Sequence, residues 1–196
     1  LSSSSAASDV YKRQIIIDPG HGGSDSGAAY NGRQEKDDAL RMAMAVGDLL
    51  KNAGFDVVYT RTTDVYNTPF EKATIGNEAG GDLFVSFHRN SSPTPNTYGG
   101  VQALVYNDSG FKGTLARNIN ENLVALGFED KGVVERPNLV VLKRTKMPAV
   151  LLELGFINSD KDNQLFDEKF NEIAQAIADG IIDTLNSNGI TASQMS

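Results

Sequence analysis

The sequence predicts an α/β fold: a single domain on a mixed, mostly parallel sheet of about six strands, flanked by helices on both faces. Three observations carry this expectation. Short β-branched or apolar runs alternate along the chain with stretches of helical periodicity. Gly, Pro and Asn clusters punctuate the boundaries between them. At 196 residues the chain is long enough to bury one core without disulfides or other staples. Strands separated by helices are the pattern of a parallel sheet covered on both sides.

The elements follow in order. Residues 1–14 are a Ser/Ala-rich lead lacking the long apolar segment of a secretory signal, and they read as a non-native or disordered leader outside the fold. Ile15, Ile16 and Ile17 favour a buried strand, which Pro19-Gly20 ends. Residues 24–33 read as a surface connection, with a turn signal at Asn31-Gly32. Ala39, Met42, Ala43, Val46, Leu49 and Leu50 recur at helical spacing, so 35–52 is a helix that Asn52-Ala53-Gly54 ends. Residues 55–59 form the second strand. Thr68-Pro69 opens a helix to about 79, with Pro69 in the first turn, and Gly80-Gly81 closes it. The third strand, 83–87, runs into His88. Residues 91–100 are a polar loop, 101–106 a strand, 110–126 a helix and 139–142 a short strand. Pro148 introduces an apolar strand at 149–154. A short turn of helix near 160–166 precedes a last helix at about 168–186. Residues 188–196 are unpatterned and read as a frayed tail.

Composition excludes several classes of function. A net charge of −7 argues against nucleic-acid binding. The chain has no cysteine, which excludes disulfides, thiolate catalysis and Cys-ligated zinc. No apolar run approaches the roughly 20 residues of a membrane span.

The chemistry-bearing residues converge on one rim. His21 and His88 are the two histidines of the chain. His21, His88 and Glu153 each fall at or just beyond the carboxyl end of an expected strand, where α/β proteins commonly keep ligands. Glu35 heads the first helix and can fold back towards the same rim. Bland readings stand beside these. A histidine is commonly structural, and Glu35 at a helix start complements the helix dipole. Glu153 lies inside an apolar strand, where burial costs several kcal/mol unless the carboxylate is paired, metal-bound or protonated.

Four segments then carry a resemblance: Asp18-Pro19-Gly20-His21-Gly22-Gly23 with Asp25 and Gly27-Ala28; Glu35-Lys36; Ser86-Phe87-His88-Arg89-Asn90; and Pro148 through Asn158, with Glu153 at its centre. Thr60-Arg61 and Gly99-Gly100-Val101 also fit. In this order and spacing the chain resembles the zinc-dependent N-acetylmuramoyl-L-alanine amidases of the Amidase_3 type, over about 15–185. The resemblance implies Zn²⁺ ligated by His21, Glu35 and His88, with Glu153 as the catalytic carboxylate. It also implies a peptidoglycan substrate, extracytoplasmic action in bacteria or phage release, and a monomer without nucleic-acid partners.

Departures from the family pattern shape further expectations. Lys72 stands where an arginine is usual. Arg89 replaces a small residue, and either anchors a stem-peptide or lactyl carboxylate or pairs with a surface acid. Asn90 either contacts substrate or caps its loop. Asp18 and Asp25 are expected to brace the glycine loop. Residues 91–100 are too short for the blocking helix of regulated members, so an open site is expected. Two other readings remain at this point: zinc hydrolysis of a peptide bond or an acetylated sugar, and a non-catalytic wall-binding module.

Overall fold

The computed structural model of the protein describes residues 12–187. The expected tail at 188–196 and leader residues 1–11 lie outside the described residues. The remainder of that leader joins the fold: Gln14 opens the first strand, and the Arg13 carbonyl accepts the Asp56 N–H.

In chain order the elements are β1 (Gln14–Pro19), a small hairpin of β2 (Ala29–Tyr30) and β3 (Arg33–Gln34), α1 (Glu35–Asn52), β4 (Asp56–Tyr59), α2 (Pro69–Ala79), β5 (Leu83–Asn90), β6 (Val101–Val105), α3 (Gly110–Val124), β7 (Asp130–Glu135), α4 (Val140–Lys143), β8 (Ala149–Phe156), α5 (Asp160–Glu168) and α6 (Phe170–Ser187). The main sheet has six strands in the order β4-β1-β5-β8-β6-β7. β4, β1, β5 and β8 run parallel, β6 runs antiparallel to β8, and β7 runs parallel to β6. The expected mixed, mostly parallel sheet is therefore observed. Among the described residues, no helix is long and apolar enough to cross a membrane.

Local chemistry explains the boundaries. α2 starts at a capping box in which Thr68 and Glu71 satisfy each other's backbone N–H, with Pro69 in the first turn. It stops at Gly80, whose φ of 69° is the left-handed cap that glycine adopts without penalty. α1 buries Ala39, Met42, Ala43, Val46 and Leu50 along one stripe.

Side-chain alternation along the strands divides the core in two. Ile15, Ile17, Val85, Phe87, Val150, Leu152 and Leu154 pack with α1, α3 and α6 in the main cluster. Ile16, Phe84, Leu104, Ala149 and Leu151 lie on the opposite face with Val141 and Leu142. Gly76 of α2 closes onto Phe84 and Ile16. Two residues further along each strand the second face turns polar: from Ile16 to Asp18, from Phe84 to Ser86 and His88, and from Leu151 to Glu153. The functional side chains occupy this polar continuation of an apolar face.

Three expectations are corrected. The run 139–142 is not a strand: Leu139 caps α4, which lies on the sheet face and buries Val141 and Leu142 there. β7 was not foreseen, because Gly132 and three charged residues (Asp130, Lys131 and Glu135) hide its half-buried Val133 and Val134. It also carries a bulge. Val101 pairs with Asp130 but Ala103 with Val133, leaving one extra residue at Lys131-Gly132, where Gly132 has φ 73°. Finally, β5 and β8 continue past the expected ends, so His88 lies within a strand rather than beyond it, and it is the register partner of Glu153.

Phe84 fills the thinner of the two clusters. Phe84→Ala is expected to lower the unfolding free energy by about 3–5 kcal/mol, measured as a drop in the urea midpoint at unchanged slope.

Candidate active site

β1 leaves the sheet into a loop of unusual backbone. His21 has φ 58° and Gly23 φ 56°, a region that side-chain-bearing residues occupy sparingly. The surroundings hold it there. Gly20 N–H donates to the Phe87 carbonyl (2.9 Å), and Gly22 and Asp25 exchange backbone hydrogen bonds. Arg61 reaches in with Nη2 to the Gly20 carbonyl (2.8 Å) and the Lys36 carbonyl (2.9 Å). Lys72 donates to the carbonyls of Pro19 (2.5 Å) and His21 (3.2 Å). The glycines make close approach possible here. A Cβ on Gly20 would collide with the His88 ring, and one on Gly27 with Glu35 and His21.

Three side chains meet above this loop. His21 Nε2 lies 3.0 Å from Glu35 Oε1, and His88 Nδ1 lies 2.9 Å from the same oxygen. One donor atom from each residue falls within 4.8 Å of the others. The rings stand edge to face with centroids 5.0 Å apart. Each imidazole is oriented through its other nitrogen. His21 Nδ1 donates to Asp25 Oδ2 (2.8 Å), and Asp25 is itself held by the Gly27 N–H. His88 Nε2 meets Ser86 Oγ (3.1 Å), and Ser86 donates to Asp18 Oδ2 (2.6 Å). Such outer partners set the tautomer that leaves His21 Nε2 and His88 Nδ1 free for a metal. Glu35 also accepts the N–H groups of Ala28 (2.9 Å) and Arg89 (3.1 Å).

Electrostatics follow from this packing. Burial opposes the charge on Glu35, but hydrogen bonds from His21 and His88 outweigh it and hold the carboxyl far below the usual range. Burial likewise disfavours charged His21, yet its bonds to Glu35 and Asp25 raise its pKa from 6.5 to about 9. Lys72 is lowered by burial despite the neighbouring Asp18 carboxylate. Glu153 is raised by burial, which the charge of His88 only partly offsets. Its Oε2 is buried without a hydrogen-bond partner. A group left in that state is costly in a purely structural role.

The sequence-predicted residues are thus largely brought together: His21, Glu35 and His88 in one cluster, with Glu153 in register beside His88. Asp18 and Asp25 brace the loop as expected. Arg89 requires correction as a substrate contact. Its side chain is buried, with Nη1 on Asp38 Oδ2 (2.5 Å), Nη2 on Asn163 Oδ1 (2.7 Å) and the guanidinium over the Phe166 ring. The Asn90 carboxamide oxygen accepts the Ser91 N–H (2.8 Å), which is the loop-capping alternative. Sequence reasoning left Ser86 without a role. Its signal was available, since residue 86 shares the face of His88 at a spacing of two. No helix occupies 91–100, as expected.

Fold and site together define a class: an α/β domain whose rim presents two imidazoles and a carboxylate able to share one metal ion, with a buried carboxylate alongside. Comparison with known proteins supplies the family. Residues 15–183 match the family described as N-acetylmuramoyl-L-alanine amidase (Amidase_3). The sporulation-specific N-acetylmuramoyl-L-alanine amidase of Bacillus subtilis is 36% identical over 179 residues, spanning 88% of this chain and 68% of its own length. The crystal structure of an N-acetylmuramoyl-L-alanine amidase from Clostridium difficile 630 superposes with a TM-score of 0.84 at 33% identity, covering 91% of this chain and 99% of that one. The catalytic domain of CwlV from Bacillus (Paenibacillus) polymyxa gives 0.81 at 34% identity, covering 89% and 98%. The chain belongs to the N-acetylmuramoyl-L-alanine amidase family. It spans about two thirds of the length of the curated relatives it matches.

Two outcomes follow from the site. The raised His21 pKa stabilises the metal-free protein fully below pH 6.5, and this contribution is lost as pH rises through about 9. The lowered Glu35 pKa contributes above the ordinary carboxylate range and is lost as pH falls. Stability of the metal-free protein is therefore expected to peak between about pH 5 and 6.5, read from urea midpoints across pH. Separately, Arg89→Ala leaves Asp38 buried without this partner and is expected to cost about 3–5 kcal/mol of stability. The loss is read from the urea midpoint.

Proposed function

We propose that this domain hydrolyses the amide between the lactyl group of N-acetylmuramic acid and the L-alanine that begins the peptidoglycan stem peptide. It does so with a zinc ion held by His21 Nε2, Glu35 and His88 Nδ1. The donor set fits: two imidazoles and a carboxylate leave an open position on a tetrahedral ion, the pattern of catalytic zinc. Their atoms already converge within 4.8 Å. The observation that carries the reading is Glu153, a buried carboxylate with an unpartnered oxygen in register with a ligand histidine.

When bound, zinc supplies Lewis acidity that polarises the carbonyl and lowers the pKa of water from about 15.7 towards about 7. Asp25 and the Ser86–Asp18 pair hold the imidazoles in the tautomers that present their free lone pairs. Glu153 accepts the proton of the attacking water as general base. Burial raises its proton affinity, which suits it to return that proton to the departing nitrogen. The C–N bond breaks, leaving a lactyl carboxylate on the glycan and a free α-amine on L-alanine. Action on this substrate places the domain outside the cytoplasm, in the wall of bacteria or in phage-driven lysis.

Purified muropeptides test the reaction: new L-alanine amine with intact glycan is the expected product. A new amine elsewhere in the peptide, or a free acetate, would replace this reading with another hydrolysis. Glu153→Ala is expected to bind zinc at close to one equivalent while hydrolysis falls about 10²–10⁴-fold. His88→Ala should lose the metal itself, seen by metal analysis after dialysis.

A further inference from the structure

We propose that Gln102 positions the stem peptide on the leaving-group side of the site, its carboxamide oxygen accepting the peptide N–H that follows L-alanine. The inference rests on the amidase reading and adds a direction to it.

The direction comes from strand order. β5, β8 and β6 lie side by side, and Glu153 is the register partner of both His88 and Gln102. Directly opposed residues project from the same face with Cβ atoms about 4.5–5.5 Å apart. The polar half of the sheet face therefore reads, across the strands, as ligand histidine, Glu153, Gln102. A substrate carbonyl belongs at the ligand end, because a metal held there would polarise it. The departing nitrogen must meet Glu153 to receive its proton. Chain beyond that nitrogen, the stem peptide, then continues over β6.

Gln102 is prepared for such a contact. Its Nε2 donates to the Lys131 carbonyl at 3.2 Å, which fixes which end of the carboxamide faces outward. That carbonyl comes from the bulge of β7, where Gly132 has φ 73° and its N–H is held by Asp130 Oδ1 at 2.7 Å. Bulges beside active sites commonly re-aim a neighbouring side chain. Among the described residues, the Gln102 carboxamide oxygen has no hydrogen-bond partner, and the residue is half-buried. A fixed acceptor with a free lone pair, one strand beyond the general base, matches a backbone N–H of an extended peptide.

The experiment uses the zinc-loaded protein and measures inhibition by each product separately: the free stem peptide, and the muramyl saccharide bearing its lactyl carboxylate. Gln102→Met keeps the side-chain length and removes its polar end. It is expected to raise the peptide inhibition constant about three- to tenfold, leave the saccharide constant unchanged, and raise KM with kcat nearly constant. Unchanged peptide inhibition, or a rise for the saccharide alone, would overturn the proposal. A stem peptide N-methylated after L-alanine gives a check on the unaltered protein, independent of how the variant folds. It should bind about three- to tenfold more weakly than the unmethylated peptide, and equal binding would refute the contact. Failure to release any L-alanine amine from muropeptides would instead refute the amidase reading itself.

Discussion

Asp18 is a carboxylate buried on a sheet face, and the site depends on the donors that saturate it. Asp18 is 1% exposed and receives the hydroxyls of Thr60 and Ser86, both at 2.6 Å, with the Lys72 ammonium at 3.2 Å. Two of these donors then have a second task. Ser86 orients His88, and Lys72 ties down the carbonyls of Pro19 and His21. One buried charge therefore sets both imidazoles, one through a hydroxyl and the other through the strained loop backbone. In the low-dielectric interior these bonds are stronger than in water, and leaving any of them unmade is correspondingly expensive.

Glu35 is placed by a second buried frame. Arg89 follows His88 in β5, and its backbone N–H donates to Glu35 while its guanidinium grips Asp38, three residues further along α1. The Arg89–Asp38 pair locks the start of α1 against β5, and so holds the carboxylate over the histidines. A buried ion pair is weak evidence for stability in itself. Here its consequence is positional: the pair ties the start of α1, and with it Glu35, to β5. The departure of Arg89 from a small residue thus serves the site from behind rather than from within.

Much of this was legible in the sequence, for physical reasons that also explain the misses. Strong periodicity and caps disclosed α1 and α2 nearly to the residue, because Thr68, Pro69 and Gly80 act locally. His21, His88 and Glu153 stood out as polar residues at strand ends against apolar runs. Glu35, at the head of a helix, and the grouping of all four rested on the resemblance carried by the motif segments. The Leu139-Val140-Val141-Leu142 run misled because short apolar segments fit a strand or a buried helix equally well. Only tertiary context put it on the sheet rather than in it. β7 escaped because a bulged strand with a central Gly132 lacks regular alternation. The burial of Arg89 depended on Asp38, Asn163 and Phe166, distant in sequence, which no local pattern could connect.

As proposed, the cluster is a metal centre with Glu153 beside the ion rather than on it. Anomalous diffraction from crystals grown with zinc tests that most directly. The expected map shows one ion per chain at about 2.0–2.2 Å from His21 Nε2, His88 Nδ1 and a Glu35 oxygen, with Glu153 outside the coordination shell. An ion ligated by Glu153, or no ion at this cluster under saturating zinc, would contradict it.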